Sequence, residues 1–543
     1  MDTRSAINAR GKAAAIDYLT VARVVVAAIL LALVSFVKMT ELTAVLIMIL
    51  AIFIVGFDLI ISAVTSIKAR DFFAYPCLMV FSAAAAYCAG FFDEALVAVM
   101  LYQIANMLLE LATARMKSDM TDFIPEKNED DIDALKAIIN SPEAGKSELI
   151  SSIKPILGVV TKAAFVVGVL FAGLMPLVSD TMTFHMSIRR GLMLILAAAP
   201  LSIIASLSLC PLTGISYAAA FGVFIKDSKT LENTAQLRTV VFDKTGVITE
   251  GSPKLASVMS PVFDTSTFIK IAAHTVYYSE QKIAGPILEA YKGSVYEGII
   301  GDFRELPGIG AEIKVKGIPI ILGTQDTFDA RGVEIPSAEL RSGLVLYMSV
   351  AGRYAGRLTF SENINPYARS VVADLSEMGG IKSVLVTEDN REPSEKLARE
   401  IRADELYYEC DQLKKINAVA QIADNLNDGE KLMYVSAESA EFHSAADIDV
   451  EVGADSENAD IFMSSVGIFG LPVAYMCARR AKTIAYENIA VAIIVKLVLV
   501  LIALTGNATM WFIVFTDIVT ATITVLNTSR IPDESIGLKK NNT

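Results

Sequence analysis

The sequence predicts a multi-span α-helical membrane protein carrying a cytoplasmic α/β domain, with a second, α+β domain inserted into it. Three observations predict this. Hydrophobic residues make up 53% of the 543 residues, too many for an ordinary soluble chain. Apolar stretches long enough to cross a bilayer, about 20 residues each, gather towards the two ends and leave 225–480 between them. Within that middle region, short β-branched runs alternate with helical patterns, as in a parallel sheet.

Eight candidate spans lie at about 19–37, 43–65, 73–91, 94–113, 155–178, 191–212, 487–505 and 509–527. Short connections, such as Lys38-Met39-Thr40-Glu41 and Thr505-Gly506-Asn507-Ala508, make antiparallel hairpins of their neighbours. Basic residues cluster at Arg4, Arg10 and Lys12, at Lys68 and Arg70, and at Arg115 and Lys117. This places the N-terminus, the 115–154 segment and 225–480 on the cytoplasmic side. Arg189 and Arg190 are the local exception. An even number of spans brings the C-terminus inside too, and the plasma membrane is the expected location. The basic N-terminal lead reads as cytoplasmic rather than as a signal peptide. The polar segment 115–154, with its acidic run Glu129-Asp130-Asp131, reads as short helices and a linker. It is too short for a separate domain with a full core.

In the middle region, Thr239-Val240-Val241-Phe242 reads as a buried strand ending in Asp243, followed by Lys244-Thr245-Gly246. Reacting groups of α/β sheets sit at the carboxyl ends of strands. A second strand, Ser383–Val386, ends in Thr387-Glu388-Asp389-Asn390; a third, Lys431–Val435, ends in Ser436-Ala437-Glu438, with Glu441 following. Helical patterns at 367–377 and 414–422 precede these two strands, and the latter carries Lys415. Residues 252–345 have their own helices and a glycine-rich hairpin (Pro307-Gly308-Ile309-Gly310, Gly317, Gly323) and read as the insertion. The expected organisation is four spans in 1–114, a linker at 115–154, two spans in 155–224, the α/β domain at 225–251 and 346–480, and two spans in 481–543.

The net charge of −13 argues against a nucleic-acid partner. The five cysteines form no CxxC pair, which removes zinc-finger and dithiol redox classes. His185, His274 and His443 stand isolated. Inside the spans, Lys496 and Asp517 are costly charges that must face the interior and be paired. They read either as a countercation beside a metal-binding carboxylate or as a salt bridge between the last two spans. Gln103, Asn106 and Glu110 form one polar stripe that lines a pathway or packs polar groups together.

The run Asp243-Lys244-Thr245-Gly246-Val247-Ile248-Thr249 resembles the DKTGTLT phosphorylation loop of P-type ATPases. The order of spans and domains resembles their heavy-metal branch, the zinc/cadmium/lead exporters, over most of the chain. Gly222-Val223-Phe224-Ile225-Lys226 and Leu231-Glu232 are similar to the link from the sixth span. The resemblance implies a HAD-like phosphorylation domain with Asp243 as phosphoryl acceptor, flanked by Lys244 and Thr245. It implies Lys415 on the phosphate, Thr387, Asp389 and Asn390 in a TGDN-like loop, and Glu438 and Glu441 on the Mg²⁺ side. Gly308 and Gly310 match the glycine pair of a nucleotide-binding domain, and Lys496 with Asp517 match a transport-site pair. ATP, Mg²⁺ and Zn²⁺ or Cd²⁺ follow as implied ligands, and the lipid bilayer as the surroundings.

The chain departs from that pattern in several places. It has no TGES sequence, and 115–154 is too short for the actuator domain that would carry one. Where GDGxND supplies Mg²⁺ ligands, Ala437 and Glu441 replace the two aspartates. Gln281-Lys282 stand for a His-Pro pair, and Glu388 for the glycine of TGDN. Counting back from Lys226 by the family's spacing puts its Cys-Pro-Cys motif at Ala199-Pro200-Leu201, without thiolates; Cys210 reads as a buried structural cysteine. These departures predict lost or reduced pump activity. The alternative is an active metal-cation ATPase completed by a homo-oligomer or a separate partner.

Overall fold

Apolar sequence becomes helix on both sides of the α/β region. The computed structural model describes residues 18–122, 148–180, 182–199, 201–306, 309–339, 344–437, 445–453, 459–463 and 466–531. They fall into two units: Met1–Ala235 with Val473–Thr543, and Gln236–Pro472.

The first unit is helical. Its helices are Tyr18–Phe36, Glu41–Lys68, Tyr75–Cys88, Phe92–Asp122, Glu148–Val178, Phe184–Ala197, Leu201–Ala219, the short Ser228–Thr234, most of Gly470–Thr505, and Met510–Thr528; a three-residue strand, β1 (Val223–Ile225), precedes Ser228. Among the described residues six segments are long and apolar enough to cross a membrane: Tyr18–Phe36, Glu41–Lys68, Leu149–Val178, Phe184–Ala219, Gly467–Thr505 and Met510–Thr528. The other two expected spans also form helices, but Tyr75–Cys88 has 14 residues, short of a full crossing. Thr40, Thr183 and Thr509 open three of the helices by accepting the amides of Thr43, Met186 and Phe512.

The expected linker is shorter than the sequence reading placed it. The fourth helix runs on to Asp122 and the next begins at Glu148, so only 123–147 lie between them. The helices run on beyond the point where hydrophobicity ends, which a hydropathy criterion misses. The acidic run 129–131 lies outside the described residues.

Among the described residues, ion pairs join the membrane helices. Arg189, the exception to the charge rule, reaches Glu94 at 2.6 Å, and Glu94 also accepts the Met510 amide at 2.9 Å. Arg23 pairs with Asp58 between the first two helices, a contact the sequence reading did not anticipate.

The second unit holds two sheets. Its strands are β2 (Leu237–Asp243), β3 (Thr249–Met259), β4 (Ile300–Glu305), β5 (Gly310–Val315), β6 (Ile318–Gly323), β7 (Val345–Val350), β8 (Arg353–Ile364), β9 (Lys382–Val386), β10 (Glu405–Tyr407), β11 (Lys431–Ser436), β12 (Ile448–Val452) and β13 (Ile461–Met463). One sheet is parallel, in the order β13-β12-β11-β2-β9-β10. β2 is central: Phe242 lies opposite Val435 on one side and Leu385 on the other. Val240, Val241 and Phe242 are fully buried, which explains their continuous apolar run.

The second sheet is antiparallel, β3-β8-β7-β6-β5-β4, with Phe268 of helix Thr265–Val276 and Ile287 of helix Ala284–Ala290 in its core. It takes in β3, β7 and β8, so the inserted element spans 249–364 rather than 252–345. The anticipated glycine hairpin is β5–β6. Lys316 and Gly317 both adopt positive φ, 50° and 83°, the two-residue turn whose twist matches the strands.

Helix Glu148–Val178 meets helix Phe184–Ala197 through two glycines. A Cβ on Gly191 would lie 2.4 Å from the Gly168 carbonyl oxygen, whereas one on Gly173 would meet nothing within 4 Å. Gly191→Ala is therefore expected to lower the melting temperature of the detergent-solubilised protein by several degrees, with Gly173→Ala close to wild type. Equal melting by the two variants would contradict this packing.

Candidate functional site

The carboxyl ends of β2, β9 and β11 converge on one cavity of about 760 Å³. Asp243, Lys244 and Thr245 enter it from β2; Thr387, Glu388 and Asp389 follow β9; Lys415 comes from helix Gln412–Asp424, whose first turn is fixed by Asp411 accepting the Lys414 amide at 2.9 Å. Ile309, Leu344, Phe360 and Glu362 close it from the antiparallel sheet.

The turn after Asp243 is tight. Asp243 Oδ1 accepts the Lys244 amide at 2.7 Å, and the Thr249 hydroxyl donates to the Lys244 carbonyl at 3.3 Å. Gly246 adopts φ 77°, and a Cβ there would lie 2.5 Å from the Ala437 methyl. Glycine is required both by its dihedral angle and by the close approach of the loop after β11.

Two lysines each bridge two carboxylates. Lys415 Nζ lies 3.2 Å from both oxygens of Asp243 and 3.1 Å from Glu388 Oε1. Lys244 Nζ lies 2.8 Å from Asp389 Oδ2 and 2.9 Å from Glu362 Oε2. Burial raises the Asp243 carboxyl above its ordinary value, and the pull of Lys415 and of the Lys244 amide in the other direction does not offset it. Burial works against the Lys415 ammonium, but Asp243 and Glu388 outweigh it and hold that pKa above the usual lysine value. Burial, then Asp243, pushes up the Tyr434 phenol, which stays protonated and donates to Asp243 Oδ2 at 3.4 Å. This arrangement offers a carboxylate nucleophile with a cation against both its oxygens.

Six of the anticipated residues meet here. Asp243, Lys244, Thr245, Thr387, Asp389 and Lys415 line the one cavity. Asn390 instead precedes helix Arg391–Ile401, and its carbonyl accepts the Ser394 hydroxyl at 2.8 Å. Glu438, Glu441 and Gly308 lie outside the described residues. Gly310 faces Gly323 across the hairpin, where a Cβ would lie 2.7 Å from the Leu322 carbonyl oxygen. Gln281 reads its backbone in both directions, accepting from the amide at 3.1 Å and donating to the carbonyl at 3.5 Å.

Glu362 and Tyr434 were missed. No spacing links Glu362 to Lys244. Strand alternation was the available signal for Tyr434, which pairs in register with Val241, two residues before Asp243.

A second polar cluster lies within the helical unit. The helix Phe184–Ala197 ends and a new one begins at Leu201, which frees the Ala199 carbonyl. Lys496 donates to that carbonyl and also lies 2.8 Å from Asp517 Oδ1. Ser202 donates to the same oxygen at 2.8 Å. Asp517 is 3% exposed, and its Oδ2 has no hydrogen-bond partner among the described residues. Gln103, of the anticipated stripe, donates to the Val55 carbonyl at 2.8 Å, a packing role. Cys210 is buried, with the Asn488 amide nitrogen 3.6 Å from its sulfur.

The family model for haloacid dehalogenase-like hydrolases matches residues 237–435. A cadmium, zinc and cobalt-transporting ATPase of Bacillus subtilis is 28% identical over 379 residues, 68% of this chain and 54% of that protein. A zinc-transporting ATPase of Synechocystis is 29% identical over 352 residues, 63% of this chain and 48% of that one. The crystal structure of a zinc-transporting PIB-type ATPase in an E2.Pi state superposes with a TM-score of 0.66 at 19% identity, covering 95% of this chain and 99% of that one. The chain resembles the heavy-metal P-type ATPases. It shares the P-type ATPase fold, helical membrane part and HAD-like domain alike, and spans about half the length of the curated relatives it matches.

Two outcomes follow for this P-type ATPase relative. Because native Asp243 holds its proton more tightly than an unfolded aspartate, the residue weakens the fold increasingly as pH rises from 3.8 through its raised native value. Asp243→Asn should remove that slope: the melting-temperature difference, variant minus wild type, grows from acid to neutral pH. A flat difference would contradict the burial argument. In the helices, Asp517→Ala strands the Lys496 ammonium and should cost about 3–5 kcal/mol, while the apolar double replacement Lys496→Met/Asp517→Leu recovers much of it. Thermal unfolding in detergent measures both.

Proposed function

We propose that this chain is a nucleotide-binding membrane relative of the zinc/cadmium-transporting ATPases with lost or reduced pump activity. The observation that carries the reading is Ala437. It follows the strand beside Asp243 and packs against Gly246, at the position the family resemblance gives to an Mg²⁺-binding aspartate. Mg²⁺ needs several oxygen ligands in near-octahedral array. Here the neighbouring strand offers a methyl group, and Asp389 and Glu362 are taken up by Lys244. The described residues hold no cluster of three or more His, Cys, Asp or Glu groups fit for a metal. Among the described residues, those at the site do not fit the ion.

Two further points support the reading. The 25 residues of 123–147 are too few for an actuator domain with its own core. The stretch Ala199-Pro200-Leu201 carries no thiolate in its sequence. The cavity remains large enough for a nucleotide. Eight spans, cytoplasmic termini and a plasma-membrane location belong to the same proposal.

A second reading, an active metal-cation ATPase completed by an oligomer or partner, is favoured by the retained Asp243–Lys415 and Lys496–Asp517 pairs. The experiment that separates them is phosphoenzyme labelling. Purified full-length protein given γ-labelled ATP, Mg²⁺ and Zn²⁺ should yield no acid-stable, hydroxylamine-sensitive phosphoprotein. Robust labelling that disappears in Asp243→Asn, with zinc-stimulated ATP hydrolysis in liposomes, would establish the pump instead.

A further inference from the structure

Resting on that reading of the cavity, we infer that Glu388 is a built-in competitor for the phosphate of a bound nucleotide. Its carboxylate occupies the Lys415 ammonium at 3.1 Å, on the same nitrogen that holds Asp243. An incoming phosphate must meet that ammonium to lie near Asp243, and it finds it shared between two carboxylates. The two differ in freedom. Asp243 is fixed by the Lys244 amide and the Tyr434 hydroxyl. Glu388 is 67% exposed, so it can swing away into solvent. The contact acts as a mobile lid of charge rather than as part of the fold.

The surroundings strengthen the effect. The cavity wall carries Asp243, Glu362, Glu388, Asp389 and Glu400 against Lys244, Lys396 and Lys415, an excess of negative charge. An anion therefore depends on the few ammonium groups it can win. Lys244 is bracketed by Glu362 and Asp389, both less exposed than Glu388. The Lys415–Glu388 contact is thus the one that can be exchanged at least cost. Glu388 acts through Lys415 and is a positioning residue that sets the affinity of the site.

A double-mutant cycle tests this, with ATP titrated calorimetrically into the detergent-solubilised full-length protein. Glu388→Gln keeps the side-chain shape and should tighten ATP binding about three- to fivefold, the size of an exposed ion pair released. Glu388→Asp, which keeps the charge, should give less of the gain. In a Lys415→Gln background, Glu388→Gln should give no gain. An equal gain in that background would mean that Glu388 merely adds negative charge, and would overturn the inference. So would ATP binding by the wild type with no gain in Glu388→Gln. No ATP binding by the wild type or by Glu388→Gln would overturn the nucleotide-binding reading itself, and this inference with it.

Discussion

The contact between Asp243 and Lys415 is the constraint on which the soluble unit's chemistry depends. It sets one partly buried charge against another, and each offsets the other's cost of desolvation. Three parts of the chain must be placed correctly for it to form: the end of the central strand, the capped first turn of helix Gln412–Asp424, and the neighbouring strand that presents Tyr434. The apolar interior of β2 supplies the rigidity. Only because Val240, Val241 and Phe242 are enclosed on both faces does the carboxylate emerge at a fixed point.

The same charge logic sets which cations in the cavity are already engaged. Each lysine that faces the cavity from the β2 loop or from helix Gln412–Asp424 is shared between two carboxylates. Such brackets leave the site net negative, with fewer free donors for a ligand. The P-type ATPase fold here surrounds a site in which each of these ammonium groups meets two carboxylates. Glu388 and Ala437 line that site from the loops after β9 and β11.

Much of the fold was legible because its signals are local. Spans announce themselves by length and apolarity, β2 by its unbroken buried run, and the β5–β6 hairpin by Gly317. Boundaries were less legible. Asp122 and Glu148 extend helices beyond the apolar core, and β7 and β8 belong to the antiparallel sheet although an alternating strand pattern says nothing about its partners. The site divided in the same way. Asp243, Thr387 and Asp389 could be found as polar residues at strand ends. Glu362 could not, because its proximity to Lys244 is created by how the inserted sheet is positioned within the unit.

The broken helix at Ala199 and the Lys496–Asp517 pair carry an electrical consequence. A lone carboxylate moving through the membrane field exchanges about 2.3 kcal/mol with each 100 mV it crosses. Lys496 and Asp517 lie 2.8 Å apart, at one depth and with opposite sign, so any displacement they share does almost no work against the voltage. Only their separation would. Among the described residues, Asp517 is the buried carboxylate of the helical unit, and Lys496 balances its charge at contact distance.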